Sequence, residues 1–154
     1  MSNGAAGFFS GRFHGCLVSR DSVQDPGFSA MQLALIGNCS YQALLDQNAA
    51  VRWLCWPRFD SSFVFGSLLD EKNGGQFSIR PRDANFRSEQ DYIPNTNILR
   101  TVFHCSDGSF EVIDFAPRFR QYERHYKPTM LVRLLRRIEG SPSLKVCCRP
   151  VYDY

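Results

Sequence analysis

Between residues 53 and 70 the chain reads WLCWPRFDSSFVFGSLLD, and this segment gathers the groups best suited to recognition chemistry. Arg58, Phe59 and Asp60 bring a guanidinium, a ring and a carboxylate together, with Ser61 and Ser62 behind them. Those groups grip a sugar: a ring stacks on its apolar face, and the charged and hydroxyl groups bond its hydroxyls. Trp56 adds a second large ring just before Pro57, which ends a ladder because it has no N–H to donate. The same residue types also build a buried strand, a polar turn and a short helix with no ligand at all, since most aromatic strands are core. Residue types alone leave both readings open.

Catalytic chemistry is harder to find. Hydrolysis of a glycoside normally needs two carboxyl groups flanking the scissile bond. Asp60, Asp70, Glu71, Asp114 and Asp153 are available, but no setting marks two of them as a pair. Asp114 lies among Val112, Ile113 and Phe115, where a carboxylate is expected to accept structural hydrogen bonds or to pair with an arginine. Asp70-Glu71 reads as the solvated end of a helix. The chain has no G-x-S-x-G elbow, no phosphate-binding glycine loop and no dinucleotide fingerprint. His104 and Cys105 are adjacent, so on a strand they face opposite ways and cannot form a dyad. We therefore assign no catalytic residue.

Strand and turn signals position these groups. Ala34–Gly37, Tyr41–Leu45 and Val51–Trp56 are short apolar runs, the last two joined by Asp46-Gln47-Asn48, which is a hairpin pattern. On a strand Trp53 and Trp56, three apart, point to opposite faces, and Trp53 is expected to be buried. Phe63–Leu69 is the best candidate for a short helix, stopped by Asn73-Gly74-Gly75. Gln76–Arg80 alternates around Phe77 and Ile79. Asn97–Cys105 and Ser109–Phe115 flank Ser106-Asp107-Gly108, and Asp-Gly between two β-rich runs marks a hairpin. In MLVRLLRRIE (130–139) the apolar spacing i, i+3, i+4, i+7, followed by Gly140, has helical period.

Bulk properties exclude several classes. A chain of 154 residues with 44% apolar and 21% charged residues is a globular chain of ordinary domain size. Its formal charge of +3 implies no partner, and its basic residues are mostly arginine, which suits fixed planar ion pairs. Residues 118–137 hold seven basic side chains against one acid, interleaved with Phe119, Tyr122 and Tyr126. We read that stretch as an arginine-rich loop and strand rather than a nucleic-acid surface. No apolar run reaches membrane-spanning length. The six cysteines lack zinc spacing and any regular disulfide framework, so no metal is expected and the thiols read as reduced, in a cytoplasmic setting. No cofactor is indicated. Residues 1–31, rich in Gly, Ser and Ala, are expected to be a disordered or poorly packed tail.

ALIGNCSYQALLD (34–46), WLCWPRFDSSFVFGSLLD (53–70), YIPNTNILRTVF (92–103), FEVIDFAPRF (110–119) and RPVYDY (149–154) occur in this order. Together they resemble the N-terminal β-sandwich domain of bacterial glycoside hydrolase family 15, over residues 32–154. One departure is Gln47-Asn48-Ala49-Ala50, where that family usually has a glycine. The resemblance implies an all-β antiparallel sandwich, supersandwich-like and truncated, with one short helix. It turns 130–139 into a strand paired with 144–151, with Val132, Leu134 and Ile138 sharing a face. It implies a non-catalytic domain of an enzyme acting on α-glucosidic bonds. The catalytic glutamates of such enzymes lie in a separate (α/α)-barrel domain, which would be the partner. Trp56, Arg58, Phe59 and Asp60 would then face the barrel or the rim of its sugar pocket. The alternative is an independent carbohydrate-binding module with an oligosaccharide as partner.

Overall fold

A computed structural model of the protein describes residues 32–152. Expectations for residues 1–31, and for Asp153, lie outside those residues. Among the described residues there are twelve strands and no helix. The first sheet runs β1 (Ala34–Gly37), β2 (Gln42–Leu45), β3 (Val51–Cys55), β5 (Gln76–Pro81) and β12 (Leu144–Arg149), with β4 (Phe63–Phe65) also paired to β3. The second sheet runs β11 (Val132–Gly140), β8 (Gly108–Phe115), β7 (Leu99–Cys105) and β6 (Arg87–Tyr92). A separate hairpin joins β9 (Phe119–Gln121) to β10 (Arg124–Tyr126). Every pairing is antiparallel.

The two sheets pack as a sandwich because their alternating residues meet in two clusters. One joins Ile36, Tyr41, Leu45, Val51 and Leu54 of the first sheet to Leu99 of the second. The other joins Ala49 and Ile79 to Phe103, Phe110 and Val112. Each large apolar side chain removed from water there contributes about 1.5–3 kcal/mol. The Asp-Gly hairpin forms as the sequence predicts, with Cys105 opposite Gly108. Glycine is required at 108: a Cβ there would lie 2.4 Å from the Glu139 carbonyl of the neighbouring strand.

One buried cation ties the sheets together. The Arg133 side chain is 3% exposed. Its Nε donates to Asp114 Oδ1 at 2.7 Å, and its Nη2 to Oδ2 at 3.2 Å. Nη1 crosses the sandwich to the Phe77 carbonyl at 3.1 Å, and Nη2 also reaches the Ala49 carbonyl. The guanidinium lies 4.6 Å from the centre of the Phe77 ring. Burial raises the Asp114 carboxyl above its ordinary range, and the hydrogen bonds and charge of Arg133 pull it back down. Asp114 thus pairs with an arginine, as its apolar sequence neighbours led us to expect.

Four expectations need correction. Phe63–Leu69 is no helix. Phe63 and Phe65 pair with Cys55 and Leu54 as β4, and Gly66–Asp70 is a turn in which the Leu69 N–H bonds the Gly66 carbonyl at 2.9 Å. Seven residues with three β-prone leaders cannot repay helix nucleation when an unpaired strand lies alongside. Residues 132–140 do form a strand, but it pairs with β8, while 144–149 pairs with β5 in the other sheet. The short Gly140–Ser143 link thus crosses between sheets rather than closing a hairpin. Ile138 leaves the alternation of Val132 and Leu134, because the register shifts between Arg137 and Glu139. Trp53 is half-buried, packed 5.1 Å from Phe63 on the face away from Leu54.

Removing one partner of the buried ion pair leaves a charge without a counterpart. Arg133→Met is expected to cost about 3–5 kcal/mol in urea unfolding, and adding Asp114→Leu should restore part of it. A loss under about 1 kcal/mol would show that water or another cation substitutes for Arg133.

Candidate functional site

At one end of the sandwich five loops converge: 38–41, 56–62, 93–98, 116–118 and 128–131. Asn38, 1% exposed, holds three of them. Its Nδ2 donates to the Pro117 and Pro128 carbonyls at 3.3 and 3.1 Å, and its Oδ1 accepts from the Ser40 N–H at 3.1 Å. Asn97 Nδ2 donates to the Gly37 carbonyl at 3.0 Å, bringing in the fourth loop. The Phe59 N–H bonds the Ser40 carbonyl at 3.3 Å, bringing in the fifth. A buried asparagine suits such a place because its two amide protons and its oxygen satisfy backbone groups that loops leave over.

Each residue proposed from the sequence has a place at this end. Trp56 lies past β3 and packs inward on Tyr41, with ring centres 4.9 Å apart. Arg58 Nη2 donates to Asp60 Oδ2 at 2.9 Å, so guanidinium and carboxylate form one planar unit. That unit is exposed, 70% for Arg58 and 60% for Asp60, and Phe59 between them is 59% exposed. The turn stands in bulk solvent. The structure therefore brings Arg58, Phe59 and Asp60 together on the surface and leaves Trp56 half-buried between Tyr41 and the apolar groove.

Two grooves flank the turn. One, of about 540 Å3, has a mostly apolar wall of Ile98, Phe115, Pro117 and Phe119 with Asn38, Asn97 and Arg118 among them. Arg118 Nη1 contacts Cys39 Sγ at 3.2 Å. An apolar one of about 450 Å3 is lined by Trp56, Phe65, Phe77, Met130, Leu131 and Cys148, among others. Arg58, Phe59 and Asp60 line neither groove. The groove beside Asn38 and Asn97 is the part of this end that sequence reading missed. Its residues are scattered over 80 positions of chain, and the one usable signal is the Asn-rich composition of the loops at 38 and 97.

Tyr41 is buried beneath this end and packs on Trp56. Its hydroxyl donates to the Met130 carbonyl, and burial pushes it up to about 12. It therefore remains a donor across the whole neutral range. Among the described residues no cluster of three His, Cys, Asp or Glu could hold a metal ion. The five described cysteines are free thiols. No helix of the described residues is long and apolar enough to cross a membrane.

By architecture the protein is an antiparallel β-sandwich domain with a loop-built, partly polar end. The chain belongs to the family of trehalase-like N-terminal domains, whose model matches residues 27–154. It is 47% identical to Trehalase 1 of Sulfolobus acidocaldarius over 85 residues, 55% of this chain and 15% of that protein. It is 32% identical to Trehalase 2 of the same organism over 124 residues, 80% of this chain and 19% of that protein. It is 28% identical to a trehalase of Mycobacterium tuberculosis over 151 residues, 90% of this chain and 22% of that protein. The chain thus spans between 15% and 22% of the length of these relatives. No solved structure matches it.

Two measurements follow from this geometry. Asp60→Ala removes only an exposed ion pair, so the isolated chain should keep its stability within about 1 kcal/mol in thermal or urea melts. A larger loss would mean that the turn is structural. Tyr41 supplies a pH signature. Its proton is held more tightly in the folded state, so its contribution is intact below the ordinary tyrosine value near 10 and is lost as pH rises from there towards about 12. Wild type should lose roughly 2 kcal/mol more than Tyr41→Phe over that interval, and equal losses would refute the buried hydroxyl.

Proposed function

We propose that the chain is a non-catalytic N-terminal part of a trehalase-type glycoside hydrolase of family 15, packing on and helping to shape a catalytic (α/α)-barrel. The observation that carries this reading is an asymmetry between the two lateral sides of the sandwich. On one side β1 and β6 are laced together. Tyr92 Oη accepts from the Leu35 N–H and donates to the Leu35 carbonyl, both at 2.8 Å. Gln90 Nε2 reaches the Asp46 carbonyl at 3.0 Å, and Ser88 Oγ reaches Asn48 at 2.9 Å.

On the other side β11 and β12 are both unpaired edges, and the residues they turn inward stay in water. Leu135 lies opposite the buried Val112 yet is 41% exposed. Val146 lies opposite the buried Ile79 yet is 55% exposed. Two adjacent open edges with apolar interior residues form a seam that attracts further protein. The relatives are about five times longer than the matched region, so they have chain to supply it.

On this reading the complete protein cleaves an α-glucosidic bond with inversion, using carboxylates carried by the barrel. Its similarity to trehalases favours trehalose as the substrate. Trp56, Arg58, Phe59 and Asp60 face the barrel or the rim of its sugar pocket; the exposure of the last three supports this, since nothing within the described residues occupies them. The free thiols agree with a reducing, cytoplasmic setting.

The purified chain should release no glucose from trehalose, maltose or dextrin above blank. Turnover abolished by substituting one of its own carboxylates would overturn the reading. The seam gives a second arm. Leu135→Lys and Val146→Lys should leave the isolated chain within about 1 kcal/mol of wild type. In a complete trehalase-type polypeptide carrying this domain the same changes should lower the melting temperature. Equal effects in both contexts would mean the seam stays open.

A further inference from the structure

Arg118–Lys127 is a run of ten exposed residues that nonetheless forms a registered hairpin. Its two-residue turn puts Tyr122 and Glu123 at φ of 47° and 59°. Both lie in the left-handed region that glycine or asparagine normally fills in such turns. A bulky residue held there at a cost, with Tyr122 84% exposed at the tip, points to a role for that side chain.

Charge sharpens the reading. The run carries Arg118, Arg120, Arg124 and Lys127 against the single acid Glu123. Elsewhere Arg52, Arg58, Arg87, Arg100, Arg133 and Arg136 each meet a carboxylate, while among the described residues Arg80, Arg82, Arg137 and Arg149 do not. Among the described residues none of the four hairpin cations does. On one face Phe119 and Tyr126 stack at 5.5 Å and 15°, beside Gln121 and Arg124; the other face carries Arg120 and His125. Because the two rings cover each other, neither presents a free pair of faces for a stacked base. Exposed tyrosine and arginine without lysine-rich spread are the residues that anchor protein interfaces.

We infer that the β9–β10 hairpin is a docking arm for an acidic protein surface, with Tyr122 as its anchor and Arg120 and Arg124 as its charge contacts. The inference rests on the reading of the chain as a part packed on further protein, and on that reading the acidic surface belongs to the catalytic part. Continuity with the loop end supports it, since Arg118 and Phe119 at the root of the arm line the groove that also holds Asn38 and Asn97.

The test uses the whole 154-residue chain and labelled poly-L-glutamate as the acidic probe, with a DNA duplex as the competing polyanion. Wild type should bind poly-L-glutamate with an affinity that falls as salt rises. Arg120→Glu/Arg124→Glu should weaken binding by at least about tenfold, and Arg120→Gln/Arg124→Gln by an intermediate amount. Tyr122→Gly should weaken binding while leaving thermal stability equal or higher, because it removes the backbone strain; a merely structural tyrosine would lower stability instead. Circular dichroism verifies that each variant is folded. No wild-type binding, unchanged affinity in the charge variants, or tighter binding to the DNA duplex would each overturn the inference. The seam variants probe a different face, so this inference and the functional reading can fail separately.

Discussion

The burial of the Arg133 guanidinium is the constraint on which the rest of the sandwich depends. A charge with 3% exposure is tolerated only where its protons are bonded and its charge is matched. Asp114 supplies the match from β8, and the Phe77 and Ala49 carbonyls supply acceptors from the opposite sheet. The site therefore fixes three things at once. It sets the register of β11 on β8, it sets the spacing of the sheets, and it sets the turn at Ala49. In that turn Ala49 adopts the left-handed conformation with φ of 53°. Asp46 makes this affordable locally: its Oδ1 accepts from the Asn48 and Ala50 N–H groups, both at 2.9 Å.

From that tie the two sides of the molecule diverge. Beyond Asp114, towards β6, polar side chains stitch sheet to sheet and satisfy the free edge of β1. Beyond Arg133, towards solvent, nothing equivalent exists between β11 and β12. The core is thus complete in the middle, closed on one flank and open on the other. An interior that ends in exposed Leu135 and Val146 is poorly explained as a finished surface and well explained as half of an interface.

The loop end follows a different logic. Its frame is polar and buried, through Asn38 and Tyr41, while its outward groups are charged or aromatic and exposed. A rigid frame under exposed Arg58, Phe59, Asp60 and the β9–β10 arm presents a fixed constellation rather than a mobile one. Such preorganisation lowers the ordering cost of recognition, which is otherwise large for long side chains. Among the described residues Arg58 and Asp60 pair with each other in the open, so they contribute little to the stability of the sandwich.

Much of the fold was legible in the sequence because it is set by local chemistry. Asp107-Gly108 dictates a tight hairpin, the alternation around Phe77 and Ile79 marks a strand, and Asp114 among apolar neighbours calls for structural hydrogen bonds or an arginine. The ordered motifs from Ala34 to Tyr154 carried the family, and the segment 53–70 carried the candidate surface. What the sequence left undecided were matters of non-local choice. Residues 63–69 and 132–140 have patterns that suit either a helix or a strand. The outcome was settled by free edges on β3 and β8 that only exist once the sheets assemble. The partner of 144–149 was decided in the same way, by the empty edge of β5. Exposure of Arg58–Asp60, burial of Asn38 and the open seam are likewise properties of how distant segments cover one another. Side-chain chemistry fixes what each residue needs, and only tertiary packing decides which of those needs are met within this chain.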